Sequence, residues 1–284
     1  MVNKIRVNIN DEFSVLKTVL VARADTYFDH EPINDNQSIY YKKSPPIKEK
    51  LLLQQENFFE VLRTAGVRLV FSDTLNDCPD QLNARDPSFV IGNTFFISSM
   101  KESLRQREKV GLKNIIKDIN ARIVYLDECT IEGGDVIVAG EKVFVGISRR
   151  TTHSGLQQLK KHLNNEYKVI PIELKPGYLH LDTVFNVLSE NIALICEKAI
   201  SQNSVELIKE YYSVVDISLE EQLHLGTNVF SLAPYKVVSQ ECNKRINSIL
   251  RVYGFDVIEL DYSEPAKLGG AFRCGTCPLE RVND

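Results

Sequence analysis

Near its end the chain reads "LGGAFRCGTCPLER", residues 268 to 281, with Gly269 and Gly270 ahead of Cys274 and Cys277. Two such cysteines could form half of a metal clip, a disulfide, a redox dithiol or the seat of one nucleophilic thiolate. Zinc would need a second CxxC or an HxxxH to complete four ligands, and the sequence has neither. A thioredoxin-like dithiol belongs between an early strand and a helix, not near the end of the chain. Buried structural thiols, a common fate of cysteine, and a single nucleophile remain. A thiolate nucleophile needs a proton shuttle and an orienting carboxylate. The sequence supplies His180 and Asp182 in "LHLDTVF", Glu132 in "IEGGDV" and Asp86 in "NARDPSF". Taken singly, His180 reads as a core histidine, Asp182 as a cap, Glu132 as a solvated acid and "EGGD" as a tight turn.

Spacing joins them. "SFVIGNTFFIS" is two apolar runs broken by Gly92-Asn93, a hairpin signal, followed by the helical "KESLRQREKVGLKNIIKDI" and the strand "ARIVYLD". The same ββαβ order recurs from "DVIVAGEKVFVGIS", from "VFNVLSENIALIC" and from "NVFSLAPYKVVSQ". The C-terminal "GGAFRCGTCPLERV" and the N-terminal "VLKTVLVARA" supply the pieces of a fifth unit. Helix "PIKEKLLLQQENFFEVLRTAG" and strand "VRLVFSD" complete it. The sequence thus predicts an α/β fold, a five-bladed pseudo-symmetric propeller closed by both termini, as one domain over residues 1–284. From Asp86 to Asp135, Asp182, Asn228 and Cys274 the steps are 49, 47, 46 and 46 residues. Equivalent positions in a cyclic repeat face one axis, so these side chains are expected in one pocket.

Such a pocket holds more carboxylates than a nucleophile and base require. Acyl transfer wants oxyanion donors, whereas a planar guanidinium can give parallel N–H bonds to each acid. A bound cation would also favour thiolate over thiol. Arg105 in "SLRQRE" and Arg150 in "SRRTTHSG" are candidates to hold a carboxylate at the far end of such a ligand; their plain alternative is surface arginine.

Bulk composition is that of an ordinary soluble globular protein. The 34 Lys and Arg against 38 Asp and Glu leave a net charge of −4 with no basic block, which argues against nucleic acid as a partner. "MVNKIRVNINDEF" lacks the apolar core of a signal peptide and no apolar run reaches membrane-spanning length. A cytoplasmic location and reduced cysteines are the expectation.

The segments "NARDPSF", "SLRQRE", "EGGDV", "GISRRTTHSG", "LHLDTVF" and "LGGAFRCGTCPLER", in this order, resemble the guanidino-group-modifying enzymes with a five-bladed α/β propeller: arginine deiminases, dimethylarginine dimethylaminohydrolases, amidinotransferases and arginine dihydrolases. The resemblance implies that Cys274 is the nucleophile, His180 the general acid and base, and Glu132 the carboxylate beside histidine and guanidinium. It implies that Asp86 and Asp182 grip guanidinium nitrogens, and that Arg150 and Arg105 bind an α-carboxylate. No metal and no cofactor are implied, the substrate is a small guanidine, and a homodimer follows from family habit alone. Within the family, Asp182 stands where dimethylarginine hydrolases tend to carry lysine, which favours an unsubstituted guanidine such as arginine. Gly269 stands where large arginine deiminases tend to carry arginine, and Arg273 replaces the histidine usual in amidinotransferases. A compact hydrolase of a guanidino group is the first reading, with an amidinotransferase second, and a dimethylarginine hydrolase or a non-catalytic propeller behind both. The glycines before Cys274 are expected to let a ligand approach the backbone, and Cys277 to serve packing.

Overall fold

A computed structural model describes residues 4–283. Its strands fall into five three-stranded sheets, and each has the same order: an antiparallel pair followed by a parallel third strand. The first hairpin pairs Ser88–Ile91 with Thr94–Ile97, turning at Gly92, whose φ of 55° suits glycine. Its third strand is Arg122–Tyr125. The next three blades repeat the plan from Val136–Ala139, Phe185–Val187 and Phe230–Ala233. In the fifth, Cys277–Val282 pairs antiparallel with Val15–Val21, which pairs parallel with Arg68–Phe71, so the two ends of the chain close the ring.

The inner strands are buried along their whole length and mostly apolar because both faces are covered. Ser88–Ile91, Thr94–Ile97, Val136–Ala139 and Ile192–Ile195 are buried at every position. Outer helices such as His153–Leu163 bury one stripe, here Leu156, Leu159 and Leu163, against the sheets. Among the described residues, no helix is long and apolar enough to cross a membrane.

One predicted helix is not continuous. Residues 101–119 form short 3₁₀ turns, Ser103–Arg105 and Glu108–Leu112, before an α-helix at Lys113–Asp118. The interruption buries Arg105 and Glu108, polar side chains that a regular surface helix would expose. Residues 5–9, which carry no repeat signal, run across the blades through bridges from Ile5 to Ile119, Asn8 to Glu280 and Ile9 to Gly92. A further helix, Asp35–Lys43, is capped by Asn34, whose side chain accepts from Gln37 N. It has no continuous apolar stripe, which is why periodicity does not reveal it.

Candidate active site

Each chemical side chain sits where the chain enters a blade. Asp86 lies two residues before Ser88–Ile91, Glu132 directly before the 3₁₀ turn Gly133–Asp135, and His180 directly before the turn Leu181–Thr183. Asn228 precedes Phe230–Ala233 and Cys274 precedes Cys277–Val282. All five are at most 2% exposed, and Asp182 is fully buried with them.

Asp135, the acid at the repeat spacing in the second blade, does other work: it accepts from Leu181 N at 2.8 Å and Ser148 Oγ at 2.7 Å, tying two blades together. Burial lifts its carboxyl to about 7. Glu132, three residues earlier, is the acid that reaches the histidine. Its Oε2 lies 2.7 Å from His180 Nε2 and 3.3 Å from Arg150 Nη1, and its Oε1 accepts from Lys101 N at 2.8 Å. Burial alone would raise Glu132, but the bond to His180 and the surrounding cations hold it at about 2. His180 is raised to about 9: burial opposes its charge, and Asp86 and Glu132 outweigh burial. Its Nδ1 lies 3.6 Å from Asp86 Oδ1.

Asp86 accepts from Arg105 Nη1 at 2.6 Å through Oδ2. Asp182 accepts from Arg273 Nη1 at 2.9 Å and from Cys274 Sγ at 3.3 Å, again through one oxygen, Oδ2. The second oxygens, Asp86 Oδ1 and Asp182 Oδ1, and the His180 Nδ1 are buried without a hydrogen-bond partner among the described residues. A polar group buried this way costs about 1–3 kcal/mol, more when charged, so the two carboxylate oxygens hold unmet demand for donors, with the charged His180 Nδ1 3.6 Å from Asp86 Oδ1 as an ionic neighbour beyond hydrogen-bond range. A side chain at position 134 would fill the space between them: a Cβ on Gly134 would lie 2.7 Å from Asp86 Oδ1 and 2.8 Å from His180 Nδ1.

The loop that carries Cys274 is clamped. Asn228 Oδ1 accepts from Ala271 N at 3.1 Å and Cys274 N at 3.0 Å, while its Nδ2 lies 3.1 Å from Cys274 Sγ. Phe272 stacks on Tyr262 at 4.5 Å and meets Phe58 edge-on at 4.9 Å. Burial, then the charges of Asp182 and Asp86, push the Cys274 thiol well above its ordinary value; the Asn228 donor offsets part of this. Both shifts favour the thiol form of Cys274 and the imidazolium form of His180 in the unliganded site.

Of the two glycines before Cys274, Gly269 lines an open cavity and Gly270 is enclosed by protein. Gly269, at φ 91°, packs against the Asn34 side chain, and a Cβ on Gly270 would overlap Asn83 Oδ1. Cys277 is buried in an apolar cluster with Leu20 and Leu279. Arg105 and Arg150 are buried, not surface residues. Arg105 holds Asp86 and Glu108, with Nε 2.7 Å from Glu108 Oε1. Arg150 holds Glu132 and donates from Nη2 to Ile33 O at 3.0 Å. Asp86, Glu132 and His180 offer donor atoms within 4.8 Å of one another, yet two guanidiniums and the histidine already neutralise those carboxylates, which disfavours a divalent ion.

Residues 33–36 cover the site. Asn34 Nδ2 donates to Leu268 O at 3.1 Å, and beside it a cavity of about 350 Å³ is lined by Asp35, Arg149, Leu179, Thr183 and Gly269. Leu179 and Thr183 flank His180 and Asp182 in sequence, so the cavity lies beside the chemical residues.

A five-bladed ring with a buried cysteine, histidine and convergent acids is the architecture of guanidino-modifying enzymes. A family model described as "N,N dimethylarginine dimethylhydrolase, eukaryotic" matches residues 24–281, and the chain belongs to that family within the guanidino-modifying superfamily. It is 35% identical over 270 residues to "Uncharacterized protein YkgA" of Bacillus subtilis, covering 95% of this chain and 94% of that protein. An arginine deiminase of Bacillus cytotoxicus is 29% identical over 259 residues, which cover 73% of this chain but 63% of the deiminase's length. Among solved structures, the amidinotransferase SxtG from Microseira wollei superposes with a TM-score of 0.83 at 18% identity, covering 98% of both chains. The DDAH from Pseudomonas aeruginosa superposes with a TM-score of 0.81 at 19% identity, covering 93% of this chain and 99% of that one. At these identities the likeness is one of fold.

Sequence reasoning does not single out Arg85 or Glu12. Arg85 stands beside Asp86 in "NARD", and Glu12 precedes every repeat; both are buried against the nucleophile loop.

Proposed function

We propose that the protein hydrolyses a guanidino C–N bond of arginine or a related small guanidine through a covalent intermediate on Cys274. The observation that carries this reading is the pair of unpartnered oxygens, Asp86 Oδ1 and Asp182 Oδ1, buried in one site with the thiol. A guanidinium placed there gives one N–H to each, and its charge offsets the two acids that hold Cys274 in the thiol form. As the guanidinium binds, the S–H proton, which already faces Asp182 Oδ2, passes to that carboxylate and leaves with the released amine as ammonium. The thiolate attacks the guanidinium carbon, and the protonated His180 gives its proton to the departing nitrogen as the C–N bond breaks. An amidino-thioether remains on Cys274. His180, now neutral and anchored by Glu132, takes a proton from water, whose oxygen adds to the amidino carbon; the C–S bond then breaks, the adduct's O–H proton returns to the sulfur, and the product carries a C=O. Asn228 steadies the sulfur in both half-reactions. Once residues 33–36 lift, Arg150 loses its Ile33 contact and can meet a substrate carboxylate, whereas Arg105 acts by fixing Asp86.

The test is incubation with arginine, agmatine, guanidinoacetate and methylated arginines, reading ureido products and ammonia. Turnover of a free guanidine supports the reading; no turnover of any guanidine overturns it. Amidino transfer is the second reading, supported by a chain length that SxtG shares end to end. Adding glycine or another primary amine tests it: an amidinated amine in place of the ureido product selects transfer.

A further inference from the structure

Arg273 immediately precedes the nucleophile, yet its side chain faces the interior and is 1% exposed. Its Nη1 donates to Asp182 Oδ2, and its Nη2 donates to Glu12 Oε1 at 3.0 Å and to Val136 O at 3.0 Å. Glu12 is buried as well and accepts weakly from Val138 N at 3.4 Å, so the pair is moored to the strand that follows Glu132. Glu12 comes from outside the 24–281 span that the family model covers. A buried ion chain of this kind costs desolvation and persists only where each charge is matched.

We propose that Glu12 and Arg273 are positioning residues. Arg273, moored also by Val136 O, engages the Asp182 oxygen that faces the thiol, so that only the other is presented to the ligand, and Glu12 balances the Arg273 charge without being needed to keep it in place. This rests on the proposed guanidinium site for its meaning in turnover, but its effect on the thiol is independent of substrate. The charged groups facing Arg273 are Glu12 and Asp182, with Arg85 3.9 Å from Glu12 and Arg281 nearby. Those facing Cys274 are Asp182 and Asp86, with the Asn228 amide and the Tyr262 hydroxyl as neutral neighbours.

The signs follow from charge. Removing the Arg273 cation leaves Asp182 uncompensated beside the sulfur and suppresses thiolate. Removing the Glu12 anion leaves the Arg273 cation without its counter-charge and promotes thiolate. The experiment is the rate of iodoacetamide alkylation of Cys274 at fixed pH near 8, located by peptide mass spectrometry. Arg273→Met is expected to alkylate about ten-fold more slowly than the unmodified protein and Glu12→Gln about ten-fold faster, one pKa unit each way. Arg273→Lys, which keeps the charge, is expected to stay near the unmodified rate. If Arg273→Met does not fold, Arg273→Gln, which keeps a donor to Asp182 without the charge, carries the same expectation. A purely structural role would loosen the loop and speed alkylation in both variants; changes in the same direction, or equal rates throughout, overturn the proposal. Because no substrate is present, that result is separate from a failure of the guanidine assay.

Discussion

The two sides of the site are built to opposite rules. On one side Glu132 is saturated, with both oxygens engaged by His180, Arg150 and the Lys101 amide. On the other, Asp86 and Asp182 each spend one oxygen on an arginine and leave the second unpartnered. The saturated side fixes a proton device whose charge state is set before any ligand arrives. The half-open side is where a ligand can still be recognised, and Cys274 stands on it. The acids of the site are therefore not interchangeable: one is saturated, two keep an oxygen free of a hydrogen-bond partner among the described residues.

The contrast can be broken most strongly at the sulfur. Cys274→Ser is expected to lose more than about 10⁴-fold in kcat, because a nucleophile and its partners act as a unit. Turnover within an order of magnitude would detach the chemistry from this loop. Next comes the proton device. His180→Asn is expected to lose about 10²- to 10⁴-fold. Because His180 is raised to about 9, the acid form persists through neutrality, and kcat should fall only as pH rises through about 9. Glu132→Gln removes the anion that stabilises the imidazolium, so that limb should move to lower pH. The same shift has a stability consequence. His180 is expected to stabilise the fold fully below its unfolded value near 6.5 and to lose that contribution as pH rises through about 9. Melting temperature against pH in the wild type and His180→Asn reads this directly, and superimposable curves would refute it.

The half-open side gives a smaller, selective effect. Methylating the nitrogen that faces Asp182 removes its donors and leaves a buried carboxylate unpaired, about 1–3 kcal/mol or roughly ten- to a hundred-fold. A free guanidine should exceed asymmetric dimethylarginine by that margin in kcat/KM, and Asp182→Lys should narrow the gap by depressing the free-guanidine rate more. Equal or better turnover of dimethylarginine by the unmodified protein would return the substrate to the one in the family's description. The smallest effect is expected at Cys277→Ser, which should leave most of the activity, since that thiol packs among apolar side chains.

Much of this arrangement is legible in the chain itself because a cyclic repeat converts sequence spacing into angular position. Asp86, Asp182, Asn228 and Cys274 recur at 46- to 49-residue steps or their multiples, and all four arrive at blade entrances. What escapes is the part that no period encodes. Arg105 reaches Asp86 only because its helix breaks into 3₁₀ turns, and a helical pattern cannot announce that break. Glu12 and the strap at residues 5–9 lie before the first repeat, so their place depends on long-range pairing alone. The cover at Asn34 is held by polar caps rather than an apolar stripe. Of the glycines before Cys274, Gly270 marks close approach of protein to protein, whereas Gly269 lines the cavity.

The central claim is that the half-open acids deliver a guanidinium carbon to one particular sulfur. Acid-quenching the reaction with the best free guanidine and mapping the peptides by mass spectrometry tests it most directly, with Cys277, three residues away, as the internal control. The expected result is an amidino adduct on Cys274, absent in Cys274→Ser and retained in Cys277→Ser. An adduct on Cys277, or turnover with no adduct on either cysteine under conditions that slow its breakdown, would contradict the account.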